Sequence, residues 1–399
     1  MRSDPEASLE AFLPGWVASG EITAAFAAVA LEGRTVWSAG ASRPGEPTPG
    51  GRALFDAASL TKPWMATLAL RLDVLGELAL ATRLREIWPD AAARLAARTL
   101  DDLLRHRAGF RPWTPLYRRS RSKAGAERLL VSGRSSGAAG AVTTETPGAP
   151  SPPRPGSNAA YSDLDYILWG LAAERRLDEE LAALLRRGLL EPLGIDGVER
   201  SPGPRPDVVE CRCDNALEVE LAAAQSVRVS RRGPPGRGEP QDGNARFLGG
   251  LAAHAGLFVT AEALLALGHE WLRALDGAGR LLSRRDAERA LAGSGAYALG
   301  WARRRVAGSA GPALAPGAFG HVGFTGTSLW IDPTRRALFV LLAHRATAGG
   351  KLNGRRRRFH RLAAAHLDAI SAQRPAGKGS ARPSRPWGGP TGESGRGGC

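Results

Sequence analysis

Apolar positions near both ends of this chain follow the spacing of β-strands. Residues 24–31 are apolar, and residues 35–38 continue the pattern after a short Gly-containing turn, which predicts a strand pair. Residues 327–331 and 337–343 form a second apolar pair around a turn that contains Asp and Pro, which is a hairpin signal. Both ends of the chain are therefore predicted to supply strands.

The middle of the chain has helical periodicity instead. One helix is predicted to begin near Ser59 and to stop at Gly76, with Pro63 in its first turns, where a missing N–H costs little. Further helices are predicted over 100–105, 163–174, 177–190 and 261–275, and a final amphipathic helix over 356–370. Strands at both ends and helices between them predict an α+β fold whose antiparallel sheet is completed by the two termini.

Two stretches have too few apolar residues to pack. Residues of about 120–155 are rich in Gly, Ala, Ser and Pro, and we interpret them as a disordered surface insertion. Residues 372–399 are rich in Gly, Pro, Ser and Arg, and we interpret them as a disordered basic tail. The remaining 8–371 is predicted to form one domain, with the insertion inside it.

The chain carries a formal net charge of +15, and the position of this charge bears on its partners. Most of the excess lies in residues 118–158 and in the tail after Ser371, without interleaved aromatic side chains that could stack on bases. A dedicated nucleic-acid site is therefore not predicted. Salt-sensitive binding of polyanions through the tail is kept as an alternative reading.

Other features of the composition indicate the cellular compartment and whether a cofactor is expected. No stretch approaches the roughly 18 consecutive apolar residues of a membrane span, and the N-terminus lacks a secretory pattern, so a cytoplasmic protein is expected. Three cysteines (Cys211, Cys213 and Cys399) are too few for a disulfide framework. No His, Cys, Asp or Glu cluster has convincing metal spacing, and no metal or other cofactor is predicted.

Lysine is rare in this chain, which makes one lysine informative. Arginine supplies 50 of the 54 basic residues, yet Lys62 is retained in an apolar setting three residues after Ser59. Arginine cannot release its proton in a protein, whereas a buried lysine can, and positions i and i+3 share one face of a helix. Ser59 and Lys62 are thus a candidate nucleophile and proton acceptor.

The Ser-x-x-Lys spacing alone is weak evidence, because Ser120 and Lys123 repeat it within the predicted insertion. A rival signal, Gly-x-Ser-x-Gly at 133–137, fits the serine elbow of α/β-hydrolases. That motif requires a buried strand before it and a helix after it, whereas Gly/Ala/Thr/Pro-rich sequence follows here. Ser59 is therefore preferred to both.

Four stretches of the chain resemble motifs of the class C β-lactamase-like serine hydrolases, which include β-lactamases, D-alanyl-D-alanine carboxypeptidases and related esterases. Residues 57–63 read AASLTKP, residues 103–109 read LLRHRAG, residues 161–164 read YSDL, and residues 321–328 read HVGFTGTS. The resemblance extends from about Glu10 to Ile370. It implies a serine β-lactamase/transpeptidase-like fold, with a helical subdomain beside the antiparallel sheet and its flanking helices.

The resemblance also implies roles for particular residues. Ser59 would be the nucleophile, and Lys62 and Tyr161 would act as a coupled pair in proton transfer, with the identity of the general base left open. The oxyanion hole would use the backbone N–H groups of Ser59 and Phe324, in the strand motif that also contains Gly323 and His321. His321 would present a polar or cationic group to the substrate, whereas structural roles are favoured for His106 and His254.

Two departures from the family motifs affect substrate choice. Asp163 stands where the tyrosine motif usually has Asn, and Val322 stands where the strand motif usually has Thr, so two hydrogen-bond donors are missing. Because those donors would hold peptide-like, carboxylated substrates, hydrolysis of esters or amides of a small acyl substrate is preferred. The alternatives are a β-lactamase or D-alanyl-D-alanine carboxypeptidase/transpeptidase, and a non-catalytic binding protein on a degenerate hydrolase fold. The sequence leaves the oligomeric state open.

Overall fold

The computed structural model describes residues 8–133, 160–349 and 352–373. The described residues form strands β1–β9 at Ile22–Leu31, Arg34–Ser42, Phe55–Asp56, Val198–Arg200, Leu257–Val259, Ala302–Arg303, Phe319–Val322, Ser328–Asp332 and Ala337–Arg345. Helices α1–α15 are formed by Leu9–Ala18, Thr61–Val74, Leu84–Ile87, Ala93–Ala96, Leu100–Leu104, Leu116–Arg119, Lys123–Val131, Asp163–Leu177, Leu181–Leu185, Glu191–Leu193, Ala216–Ala223, Gly243–Phe247, Ala261–Leu275, Arg284–Leu291 and Asn353–Gln373.

The main sheet joins the two ends of the chain. Its six antiparallel strands have the order β2-β1-β9-β8-β7-β6, and a second, three-stranded sheet has the order β3-β5-β4. Strand β1 pairs with β9 along nearly its whole length, with Ala27 opposite Leu341. The predicted α+β fold with a sheet completed by both termini is confirmed.

Helices cover both faces of the main sheet because alternate side chains of β1 point in opposite directions. Ala25, Ala27 and Val29 pack in one cluster with side chains of α1 and α15. Phe26, Ala28 and Ala30 pack in a larger cluster that includes α2, α8 and α13. Both faces of β1 are therefore buried, which explains why its sequence is a continuous apolar run rather than an alternating one.

The predicted insertion is wrong over its first part. Lys123–Val131 forms α7, whose Ala126 and Leu130 are fully buried in the larger cluster. The side chain of Ser122 caps this helix by accepting a hydrogen bond from the backbone N–H of Gly125. Packing against α8 therefore compensates for the weak helical sequence. The rest of the predicted insertion, from 134 to 155, lies outside the described residues, as do four positions of the rival serine motif at 133–137.

Two predicted helices differ in extent from the observed ones. The helix predicted over 177–190 begins later, because Asp178 adopts a left-handed backbone (φ 52°) that ends α8, and α9 starts at Leu181. A π-helical turn, Arg186–Leu190, then continues α9 into α10. The final helix, α15, begins earlier and ends later than predicted, so residues 372–373 of the predicted tail are helical. The tail from 374 onward lies outside the described residues. Within the described parts of the chain, no helix has the length and hydropathy needed to cross a membrane.

Candidate active site

Ser59 lies in a short 3₁₀ turn, Ala58–Leu60, that leads directly into α2. Lys62 follows in the first turn of α2, and its side chain is fully buried. The ammonium nitrogen Nζ lies 3.0 Å from Ser59 Oγ. The side-by-side arrangement that the sequence spacing predicts is therefore present.

Two other polar groups hold the Lys62 ammonium. It donates to Asp163 Oδ1 at 2.7 Å and to the backbone carbonyl of His254 at 3.1 Å. Burial is the largest influence on the pKa of Lys62 and lowers it, whereas the Asp163 carboxylate opposes that shift. The net shift of the Lys62 pKa is downward. At a given pH, a larger fraction of Lys62 is therefore neutral than for an exposed lysine.

Tyr161 also contacts the Ser59 hydroxyl. It lies two residues before α8, which Ser162 caps by accepting the N–H of Leu164. The Tyr161 hydroxyl donates to Ser59 Oγ at 2.9 Å. Burial, reinforced by the Asp163 carboxylate, raises the pKa of Tyr161 well above its usual range. Tyr161 therefore stays protonated at neutral pH.

The strand β7 brings His321 to the same place. Its ring centroid lies 6.2 Å from that of Tyr161, and its Nδ1 lies 2.9 Å from the carbonyl oxygen of Val322. Burial, assisted by the charge of Lys62, lowers the pKa of His321 to about 3. His321 is therefore expected to be neutral near pH 7, which favours the polar role over the cationic one.

Gly323, directly after β7, lets the strand approach the Ser59 turn. A Cβ atom at position 323 would overlap the side chain of Thr327 and the backbone carbonyl of Ala57. The Gly323 N–H donates to the backbone carbonyl of Thr327 at 2.8 Å, which closes the turn that contains Phe324. Any side chain at 323 would therefore push this turn away from Ser59.

The predicted site residues surround one cavity of about 150 Å³. Its lining includes every one of them except Lys62, which lies behind Ser59: Ser59, Tyr161, Asp163, His321, Gly323 and Phe324. The second Ser-x-x-Lys copy is elsewhere, since Lys123 forms an ion pair with Glu174 at 2.5 Å. The structure thus brings together the residues of the family motifs and leaves Ser120 and Lys123 apart from them.

Two arginines of the cavity wall are absent from the sequence-based set. Arg356 lies in a run of four arginines, 355–358, a pattern that favours a solvated helix start, but its side chain is 1% exposed. It donates to the backbone carbonyls of Gly323 at 2.8 Å and Thr327 at 3.2 Å. Arg345, equally buried, has its guanidinium carbon 4.3 Å from the ring centre of Phe324. No sequence signal distinguishes these two from the other 48 arginines.

An acidic side of the cavity was also missed. Glu218 and Asp242 line it, and Glu218 accepts a hydrogen bond from the Tyr117 hydroxyl at 2.7 Å. Asp242 Oδ1 lies 3.0 Å from Nε2 of His254. Burial alone would lower the pKa of His254, but the Asp242 carboxylate outweighs burial and raises it. This ion pair fixes the segment whose carbonyl accepts from Lys62.

His106 lies behind Tyr161, with ring centroids 4.7 Å apart. Its Nδ1 accepts the backbone N–H of Ser162 at 3.2 Å, and burial keeps its pKa well below the usual histidine value. The carboxyl group of Asp165, fully buried, lies 3.5 Å from the same nitrogen. His106 is thus a neutral packing partner of Tyr161 rather than a group that faces the cavity.

The described residues contain no group of three or more His, Cys, Asp and Glu side chains arranged to hold a metal ion. Cys211 and Cys213 are buried free thiols.

Known proteins are similar to this chain in sequence and in fold. A "Putative D-alanyl-D-alanine carboxypeptidase" of Escherichia coli K12 is 27% identical over 318 residues, which is 73% of this chain and 69% of that protein. Matches to relatives of the same description from Salmonella cover 46% of those proteins, so the chain spans about half of their length.

Solved structures resemble this fold at low sequence identity. A penicillin-binding protein homologue from Caulobacter crescentus superposes with a TM-score of 0.65 at 21% identity, over 91% of this chain and 98% of that one. EstCE1, described as a hydrolase with promiscuous acyltransferase activity, gives 0.65 at 19% identity, over 89% and 97%.

A sequence profile described as Beta-lactamase matches residues 9–364, which is most of the chain and includes every predicted site residue. The resemblance seen in the four motifs is therefore confirmed over the length of the fold. This chain belongs to the Beta-lactamase family of serine hydrolases.

Proposed function

We propose that this protein hydrolyses esters or amides of a small acyl substrate through an acyl-enzyme on Ser59. The proposal rests on the contact of two proton-transfer groups with one hydroxyl oxygen. Lys62 Nζ lies 3.0 Å and the Tyr161 hydroxyl 2.9 Å from Ser59 Oγ. A serine hydroxyl becomes a nucleophile when a nearby base removes its proton, and both distances allow direct proton transfer.

The electrostatics favour Lys62 as the general base. Its lowered pKa makes the neutral amine available, whereas the raised pKa of Tyr161 disfavours the phenolate. Neutral Lys62 would take the proton of Ser59 while Oγ attacks the substrate carbonyl carbon. As the bond to the leaving group breaks, Tyr161 would donate a proton to that group and regain one from Lys62.

The same groups would then assist hydrolysis of the acyl-enzyme, with the proton transfers running in the opposite direction. Water would attack the acyl carbonyl while Lys62 and Tyr161 remove its proton, and Ser59 would leave as the restored hydroxyl. The backbone N–H groups of Ser59 and Phe324, both residues of the cavity wall, would stabilise the oxyanion. One such donor contributes about 3 kcal/mol in the transition state.

The cavity wall supports a weakly charged acyl substrate. Trp113, Leu217 and Leu221 supply apolar surface, and Val322 has no hydroxyl with which to hold a carboxylate. Asp163 is engaged by Lys62 at 2.7 Å and, when ionised, cannot donate a hydrogen bond to an amide carbonyl of the substrate.

One observation favours a second candidate, the hydrolysis of carboxylated substrates as in a D-alanyl-D-alanine carboxypeptidase or β-lactamase. Arg345 and Arg356 line the cavity, and neither has a carboxylate within 4 Å in the part of the chain that the structure describes. Their positive charges would attract an anionic group of the substrate. Some of their donors are occupied by backbone carbonyls of Ala348, Gly323 and Thr327, whereas Nε of each arginine has no partner in the described residues.

A fluorophosphonate probe tests the nucleophile. The wild-type protein should become labelled at Ser59, and Ser59→Ala should abolish labelling because it removes the hydroxyl that Lys62 and Tyr161 contact. Ser120→Ala, which removes the serine of the second Ser-x-x-Lys copy, is the matched control and should label at the wild-type rate. Unlabelled wild-type protein would favour the non-catalytic binding protein, and labelling that survives Ser59→Ala would refute the role of Ser59.

The pH dependence of kcat/KM tests the general base. Activity should fall as the pH drops through the pKa of Lys62, because the protonated amine cannot accept the proton of Ser59. The Asp163 carboxylate stabilises the ammonium, so Asp163→Asn should lower the pKa of Lys62 further and move the acidic limb to lower pH.

The matched control for this shift is Asp207→Asn. Asp207 is a half-exposed carboxylate whose partner is Arg205, and its loss should leave the limb in place. A limb that moves to higher pH in Asp163→Asn, or does not move, would contradict the assignment of Lys62 as the base.

Substrate competition separates the two candidate functions. Short neutral acyl esters should have kcat/KM values at least about tenfold above those of a chromogenic cephalosporin, a difference of about 1.4 kcal/mol. Steady-state rates on both substrates with one preparation provide the measurement. Equal or faster turnover of the cephalosporin would reverse the order of the candidates.

A further inference from the structure

The residue before the nucleophile has a strained backbone. Ala58 has φ 46°, in the left-handed region that residues with a Cβ atom rarely adopt. Strain of this kind persists only where the surrounding structure enforces it, and it is concentrated at functional sites. Because Ala58 immediately precedes Ser59 and lines the same cavity, its conformation sets the direction of the nucleophile.

The side chain of Asp56 holds Ala58 in this conformation. Asp56 Oδ1 accepts the backbone N–H of Ala58 at 2.8 Å, and Oδ2 accepts the backbone N–H of Gln241 at 2.7 Å. Asp56 itself is held in place, since its backbone N–H donates to His344 Nε2 at 3.1 Å and its carbonyl accepts from Thr325 Oγ1 at 2.8 Å. The turn before Ser59 is therefore held by contacts with several elements. We call the two hydrogen bonds that the Asp56 carboxylate accepts the clamp.

Burial of the Asp56 carboxylate costs free energy, because the charge loses its contact with water. Asp56 is 1% exposed, and its carboxylate forms no ion pair within 4 Å with a lysine or arginine of the described ranges. Burial raises its pKa to about 6, and the two N–H donors oppose that rise, so the group is ionised at neutral pH. The positive charge of Arg246 also favours the ionised form, but without an ion-pair contact, so backbone N–H groups hold the carboxylate. A buried charge held in this way indicates a task that an apolar side chain could not perform.

Asp56 also connects the nucleophile to the base. Gln241 is followed by Asp242, which pairs with His254 at 3.0 Å, and the His254 carbonyl accepts from Lys62 Nζ at 3.1 Å. One carboxylate thus ties the Ser59 turn to the segment that orients Lys62. Distortion at Asp56 would therefore reach both partners of the proposed proton transfer.

We propose that Asp56 is a positioning residue for Ser59, acting through the strained Ala58 turn. This inference rests on the proposed function, because it assigns Asp56 to the reaction of that same hydroxyl. Asp56 does not line the cavity and would not touch the substrate.

The isosteric variant Asp56→Asn tests the proposal. Its amide oxygen can still accept one N–H, but its NH₂ group faces the other N–H, so the clamp is broken on one side. We expect kcat and the rate of fluorophosphonate labelling at Ser59 to fall about 10- to 100-fold, as a displacement near 1 Å can cost, with KM changed less than about threefold. Rates are taken well below the melting temperature of each variant.

A buried aspartate remote from the cavity is the matched control. Asp332 is fully buried and also accepts backbone N–H groups, those of Ala315 and Arg335. Asp332→Asn should lower the melting temperature while kcat stays at the wild-type value. A variant Asp56→Asn that behaves in the same way, with lower stability and unchanged kcat, would overturn the proposal.

A double-mutant cycle isolates the strained turn. Glycine adopts φ 46° readily, so Ala58→Gly should reduce the need for the clamp. Asp56→Asn should then cost at least about fivefold less in labelling rate in the Ala58→Gly background than in the wild type. An equal loss in both backgrounds would overturn the proposal, whereas failure of the wild type to label would instead overturn the proposed function.

Discussion

The structure depends most on the burial of one ammonium group. Lys62 Nζ has no access to water and is held by Asp163, Ser59 and the carbonyl of His254. A charge in this position must be compensated by fixed polar groups, and each of the three comes from a different part of the chain. The start of α2, the start of α8 and the loop before β5 are therefore positioned relative to one nitrogen atom. Tyr161, two residues before α8, is brought into the site together with Asp163.

The cavity around this group carries charges of both signs. Arg345 and Arg356 form a basic wall, whereas Asp163, Glu218 and Asp242 form an acidic one. His321, which is neutral, adds a polar group without adding charge. The acidic groups are paired with Lys62, Tyr117 and His254, whereas the two arginines donate to backbone carbonyls instead of to those carboxylates. In the described residues, Nε of each arginine is buried without a hydrogen-bond partner, so these two side chains are the groups that would meet an anionic substrate under the second candidate function.

Sequence patterns predicted the parts of this protein that are determined locally. The apolar runs of β1 and β9, and the Ser59, Lys62 and Tyr161 motifs, are readable because each is a short stretch with its own spacing. Arg356 and Asp56 were missed because their burial is created by strands and loops far away in sequence. Helix α7 was mistaken for disorder because its stability comes from packing rather than from its own composition. Local chemistry was thus predictable, and long-range burial was not.

The ionisation of Lys62 is the most direct test of this account. The chain has only four lysines, so a variant in which Lys123, Lys351 and Lys378 are replaced by arginine leaves Lys62 as the only one. With ¹³C- and ¹⁵N-labelled lysine, NMR then follows one side chain through its titration. We predict a pKa of Lys62 below the ordinary lysine value of about 10.4. A pKa at or above that value would show that the Asp163 ion pair outweighs burial, and would contradict Lys62 as the general base.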